Sequence, residues 1–146
     1  MNKYFRPRRS MLYVPGCNTR FLEKARTLPA DSLILDLGDP ILLAAKETSR
    51  QNVVDAIKQG GYGERELVVR VNDLASPWGH DDIKAVAKLD IDAVLFTNIE
   101  SRQNVLDAID VLDKAGGQEV PVLCDITSRA VFTTSFLRSD LSLADR

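Results

Sequence analysis

The sequence offers few of the residues that most often announce a site. It has two cysteines, Cys17 and Cys124, far apart and outside any CxxC pattern, so neither a disulfide framework nor a zinc site is indicated. Histidine and tryptophan occur once each, as His80 and Trp78. Neither sign of charge dominates: a net charge of −2 sets up no field for nucleic acid or an anionic membrane, and no basic run carries interleaved aromatics. The apolar MLYV after the basic N-terminus is too short for the core of a signal peptide, and no later run reaches membrane length. There is no Walker loop, no GxGxxG and no GxSxG. A globular, reduced, cytoplasmic protein without nucleic-acid or membrane partners is the expectation.

What is present is regular. At 146 residues and 45% hydrophobic, the chain is long enough for one domain with a core. Short apolar runs at residues 10–16, 32–39, 66–73, 93–100 and 120–127 read as strands. Helical patterns lie between them: Phe21, Leu22, Ala25 and Leu28; Val53, Val54, Ala56 and Ile57, after a polar KETSRQN stretch; Ile83, Val86, Ala87 and Leu89; and Val105, Leu106, Ile109 and Leu112. Gly60-Gly61 and Gly116-Gly117 close the second and fourth helices, and SRAVFTTSFLRSD reads as a fifth. Strands alternating with helices pair in parallel and are buried on both faces.

Polar residues gather at the strand ends: Cys17 to Arg20, Asp36 and Asp39, Arg70, Asn72 and Asp73, Thr97, Asn98 and Glu100, and Asp125. In α/β folds ligands bind at the carboxyl ends of strands. Alternation puts Val68, Arg70 and Asn72 on one face, so the Arg70 guanidinium shares a face with an aliphatic residue and must be paired. Two pairings are open. Arg70 meets Asp36 or Asp39 internally, or it grips a substrate carboxylate or phosphate in bidentate geometry. Asp81 and Asp82, after PWG, read as first-turn acids complementing the dipole of the third helix.

Four blocks, RRSMLYVPGCNTRFLEKA, LILDLGDPILLAAKE, LVVRVNDLASPWGHDDI and VLFTNIES, resemble in order and spacing the citrate lyase beta-subunit family, which includes malyl-CoA lyases and is related to the HpcH/HpaI aldolases. The resemblance implies an α/β chain forming part of a (β/α)8 barrel of the phosphoenolpyruvate/pyruvate type, with about five βα units. It further implies a Mg²⁺-assisted lyase that cleaves or forms a carbon–carbon bond next to a CoA thioester, with a CoA ester or oxo acid as its small-molecule partner. Homo-oligomers are common in such a family. By the same resemblance Arg70, Asp36 and Asp39 are catalytic candidates. Arg20, Lys24 and Asn72 are cofactor-binding candidates, with Thr19 as N-cap of the helix that helps hold CoA.

The chain departs from that pattern in three places. Gly38 stands where the family reads an acid in LDLED, Thr97-Asn98 replaces a Pro-Lys pair, and Asp125-Ile126-Thr127-Ser128 replaces Ile-Glu-Thr, whose Glu binds metal. Asp39 and Asp125 are the remaining weak metal candidates, and a one-residue shift is expected to turn Asp125 to the opposite face. A full barrel takes about 250 residues. The expectation is therefore one citrate lyase beta-like domain over residues 1–146, C-terminally incomplete, with unpaired first and fifth strands. Two further readings remain: a truncated, non-catalytic member that acts as a binding or assembly partner or has no activity, and an open flavodoxin-like sheet with a nucleotide or small-anion site. Strand order separates the last from the others.

Overall fold

The structure is a computed structural model, and it describes residues 7–38 and 41–126. Five parallel strands, β1 (Met11–Pro15), β2 (Ser32–Asp36), β3 (Glu66–Arg70), β4 (Ala93–Phe96) and β5 (Val122–Cys124), lie side by side in the order β1-β2-β3-β4-β5. A flavodoxin-like sheet would place β1 between β2 and β3. The sequential order removes that reading.

Helices α1 (Thr19–Ala25), α2 (Lys46–Gln59), α3 (Gly79–Val86) and α4 (Arg102–Lys114) fill the connections. Their apolar sides join Leu33, Leu35, Val69, Val94 and Phe96 of the strands in one large core cluster. Ile34, Val68, Ala93 and Leu95, the alternate residues, form a separate small cluster on the other face. This is the two-sided burial that makes such strands read as unbroken aliphatic runs. Gly60 (φ 70°) and Gly116 (φ 95°) end α2 and α4 in the left-handed region, as the paired glycines led us to expect.

Three local expectations change. The strands are shorter than the apolar runs, because side chains at their ends compete for the backbone. Asp36 takes the N–H of Gly38 at 2.7 Å, and Asp82 takes the N–H of Asn72 at 3.1 Å, so β2 and β3 stop at their polar residues. The cap of α1 is Asn18 rather than Thr19: the Asn18 side chain accepts from the N–H groups of Arg20 (3.1 Å) and Phe21 (3.3 Å). The polar KETSRQN stretch is itself helical, forming the first half of α2 after a 3-10 turn at Leu43–Ala45. The expected fifth helix lies outside the described residues.

Candidate functional site

The register sets the site. Asp36 and Arg70 are paired positions at the ends of β2 and β3, on the face that carries Ile34 and Val68. Arg70 Nη1 donates to both carboxylate oxygens of Asp36, at 3.2 and 3.3 Å, and both side chains are largely withdrawn from water, 12% and 5% exposed. Burial makes such a pair interdependent, since removing either partner strands a charge. The internal pairing foreseen for Arg70 therefore forms. Its second nitrogen, Nη2, lies 3.9 Å from Asp125, whose side chain is 29% exposed. The expectation that Asp125 points away is corrected: Leu123 pairs with Leu95, and two residues on Asp125 returns to the same face.

Gly38 completes the corner. A Cβ at this position would overlap Arg70 Nη1 and stand 3.0 Å from both Arg70 Cζ and Asp36 Oδ1. The guanidinium occupies the space that a side chain at position 38 would need. Glycine at position 38 and the seat of Arg70 are thus one structural fact.

Behind this corner is a buried polar network that sequence reasoning missed. Lys46, 5% exposed, donates to the carbonyls of Leu37 (3.0 Å) and Gly38 (2.6 Å) and to Oδ1 of Asn72 (2.6 Å). Asn72 Nδ2 in turn donates to Leu37 O (2.8 Å) and to Asp82 Oδ2 (2.6 Å), and Asp82 Oδ1 accepts from Arg50 Nε at 2.7 Å. Asn72 thus lies in the network behind the corner. Asp81 and Asp82 both lie in the first turn of α3, as expected; Asp82 is in addition a buried hub joining α2, α3 and the end of β3, whereas Asp81, which is exposed, pairs with Lys84. A signal existed for both: Lys46 is in phase with Ser49, Val53 and Ile57 along α2, and Asp82 with Val86 along α3.

The other candidates are dispersed. Arg20 and Lys24 are exposed on α1, beyond the end of β1. Asn98 adopts a left-handed backbone (φ 56°) and its amide donates to Asp73 Oδ2 at 2.7 Å. That contact borders a cleft of about 440 Å³ whose lining includes His80 and Asp107. Asp39 lies outside the described residues. Among the described residues no three acids, histidines or cysteines converge as a cation site. Asp36, engaged by Arg70 and by the Gly38 N–H, does not make one with its neighbours. The described residues therefore assemble no three-ligand cation site of their own.

Parallel strands in sequential order, with a buried guanidinium–carboxylate pair at their carboxyl ends, define an α/β protein whose polar groups gather at the end of the sheet where such folds carry their sites. Residues 9–132 match the family model described as HpcH/HpaI aldolase/citrate lyase, and the chain belongs to that family. It is 40% identical over 117 residues to the citrate lyase subunit beta of Escherichia coli (strain K12), covering 78% of this chain and 39% of that protein. It is likewise 40% identical over 106 residues to a (3S)-malyl-CoA thioesterase of Cereibacter sphaeroides (strain KD131), covering 73% of this chain and 37% of the relative. The chain thus spans about two fifths of the length of these relatives. Among solved structures it shares its fold with the citrate lyase beta subunit of Mycobacterium tuberculosis complexed with oxaloacetate and magnesium. There the TM-score is 0.63 at 23% identity, over 89% of this chain and 52% of that one.

Proposed function

We propose that the chain is part of a (β/α)8-barrel carbon–carbon lyase acting on CoA-thioester hydroxy acids of the citryl-, malyl- or citramalyl-CoA type, releasing a keto acid and an acyl-CoA. In this reading the described residues supply the grip on the acid's carboxylate. The observation that carries it is the placement of Arg70 at the carboxyl end of β3, paired with Asp36 from β2. Nη1 is held by Asp36 at 3.2 Å, and Nη2 stands 3.9 Å from Asp125, whose side chain is 29% exposed. A ligand carboxylate that displaces Asp125 meets an oriented guanidinium in a site of reduced solvent, where charge-assisted hydrogen bonds are strongest. Asp36 holds the guanidinium at Nη1. Family membership implies Mg²⁺, which would polarise the keto-acid oxygens. No step is assigned to it here, because the described residues do not assemble its ligands. Arg20 and Lys24 are proposed to meet the CoA phosphates, and Asp39 to join the catalytic acids.

A different observation, Gly38, favours a second reading, a non-catalytic family member that binds an oxo acid or CoA ester without turnover. Gly38 in place of the family's acid removes a carboxylate from the corner and gives its space to Arg70.

The deciding experiment measures oxaloacetate binding by calorimetry, then release of acetyl-CoA from malyl-CoA with and without Mg²⁺. Arg70→Lys keeps the charge that pairs with Asp36 but loses the planar fork. It is expected to weaken oxaloacetate at least tenfold. Equal affinity in Arg70→Lys and wild type would remove Arg70 from the binding reaction. Binding without acetyl-CoA release selects the second reading.

A further inference from the structure

A lysine at the first position of a helix has every opportunity to reach solvent, yet Lys46 is buried. Its ammonium meets Leu37 O, Gly38 O and Asn72 Oδ1, three oxygens for its three N–H donors, and stands 5.7 Å from the centre of the Trp78 ring. Withdrawing an ammonium from water is costly, and an apolar side chain of similar volume commonly fills such a position with equal or better stability. The contacts show what the lysine does instead. Two of these acceptors belong to consecutive peptides just past the end of β2.

The Gly38 peptide is the connecting piece. Its carbonyl is held by Lys46, its N–H by Asp36 Oδ1 at 2.7 Å, and its bare Cα leaves the room that Arg70 Nη1 fills. Asp36 Oδ1 is also an acceptor of that same Nη1. A continuous path therefore runs from the Lys46 ammonium through the Gly38 peptide and the Asp36 carboxylate to the guanidinium.

We propose that Lys46 is a positioning residue for Arg70: by clamping the Leu37 and Gly38 carbonyls it fixes the Gly38 peptide, which aims the Asp36 carboxylate and leaves the guanidinium a single seat. The functional consequence rests on the reading that Arg70 receives the oxo-acid carboxylate.

The test follows the guanidinium ¹H–¹⁵N signals of Arg70 in the full chain, assigned by their loss in Arg70→Lys, together with oxaloacetate affinity. Lys46→Met is expected to shift or broaden those signals and to weaken oxaloacetate at least tenfold, at a temperature well below its unfolding midpoint. Gly38→Ala leaves the Lys46 contacts in place and presses on the guanidinium. It is expected to move the same signals, which tests the Gly38 seat; Lys46→Gln, polar but too short to span both carbonyls, tests the clamp where Lys46→Met does not fold, and is expected to move them as well. Adding Lys46→Met to Arg70→Lys is expected to cost no further affinity. The proposal is overturned if either Lys46 variant or Gly38→Ala folds and leaves the Arg70 signals as in wild type; a Lys46→Met protein that changes only its melting midpoint makes Lys46 a core strut. If wild type binds no oxaloacetate, the functional reading fails, and the Arg70 signals alone decide the role of Lys46.

Discussion

Burial separates the two thiols of this chain. Cys17 is exposed in the turn after β1, whereas Cys124 is half-buried at the end of β5, where desolvation pushes its thiol above the ordinary range. Alkylation proceeds through the thiolate, so a raised pKa and restricted access both slow Cys124. A short pulse of iodoacetamide at neutral pH, read by peptide mass spectrometry, is expected to label Cys17 well before Cys124. Equal labelling would mean that β5 opens to solvent far more than its packing implies. The same distinction governs what sequence could reveal about the site. Arg70 was legible because an arginine in phase with Val68 has to be paired, and its partner had to come from a neighbouring strand end. Lys46 and Asp82 carried only a phase signal, which does not decide burial, because a charged residue in a helix is ordinarily solvated and burial is set by elements distant in sequence.

At the scale of the element, the apolar periodicities located the four helices and five strands of the described residues, while their ends depended on particular side-chain hydrogen bonds. The start of α1 shows why. In the run Cys17-Asn18-Thr19, both Asn18 and Thr19 are good capping residues, and composition does not choose between them. The backbone does: Asn18 is extended (φ −118°, ψ 97°) and its Oδ1 reaches two of the helix's first N–H groups, whereas Thr19 is already the first helical residue. Asn18→Ala is expected to lower the unfolding free energy by about 1 kcal/mol. Asn18→Asp should recover most of that loss, and Thr19→Ala should be close to neutral. Urea denaturation of the three variants checks the assignment, and a larger loss in Thr19→Ala than in Asn18→Ala would return the cap to Thr19.

Across the whole molecule, one apolar cluster contains residues from every described helix and from all five strands, counting the partly buried Val122 and Cys124 that pack against it. Helices that share one core with the sheet have no separate reason to stay folded, so unfolding is expected to be a single transition. The Arg50–Asp82 pair offers a way to test that coupling from a polar contact. Asp82 on α3 is 1% exposed, accepts from Arg50 on α2, and binds both the backbone and side-chain N–H groups of Asn72 beyond β3. Asp82→Asn keeps the shape but removes the charge opposite Arg50 and turns one acceptor into a donor facing donors. Breaking a buried pair in this way costs about 3–5 kcal/mol. Because the hub touches three elements of one core, the cost should appear in all of them together. The urea midpoint should fall while the slope stays that of wild type, since the slope follows the surface exposed on unfolding. Far-UV circular dichroism and Trp78 fluorescence should trace the same curve. A reduced slope, or a fluorescence transition that precedes the loss of helix, would show that α3 and its hub detach from a sheet that remains folded.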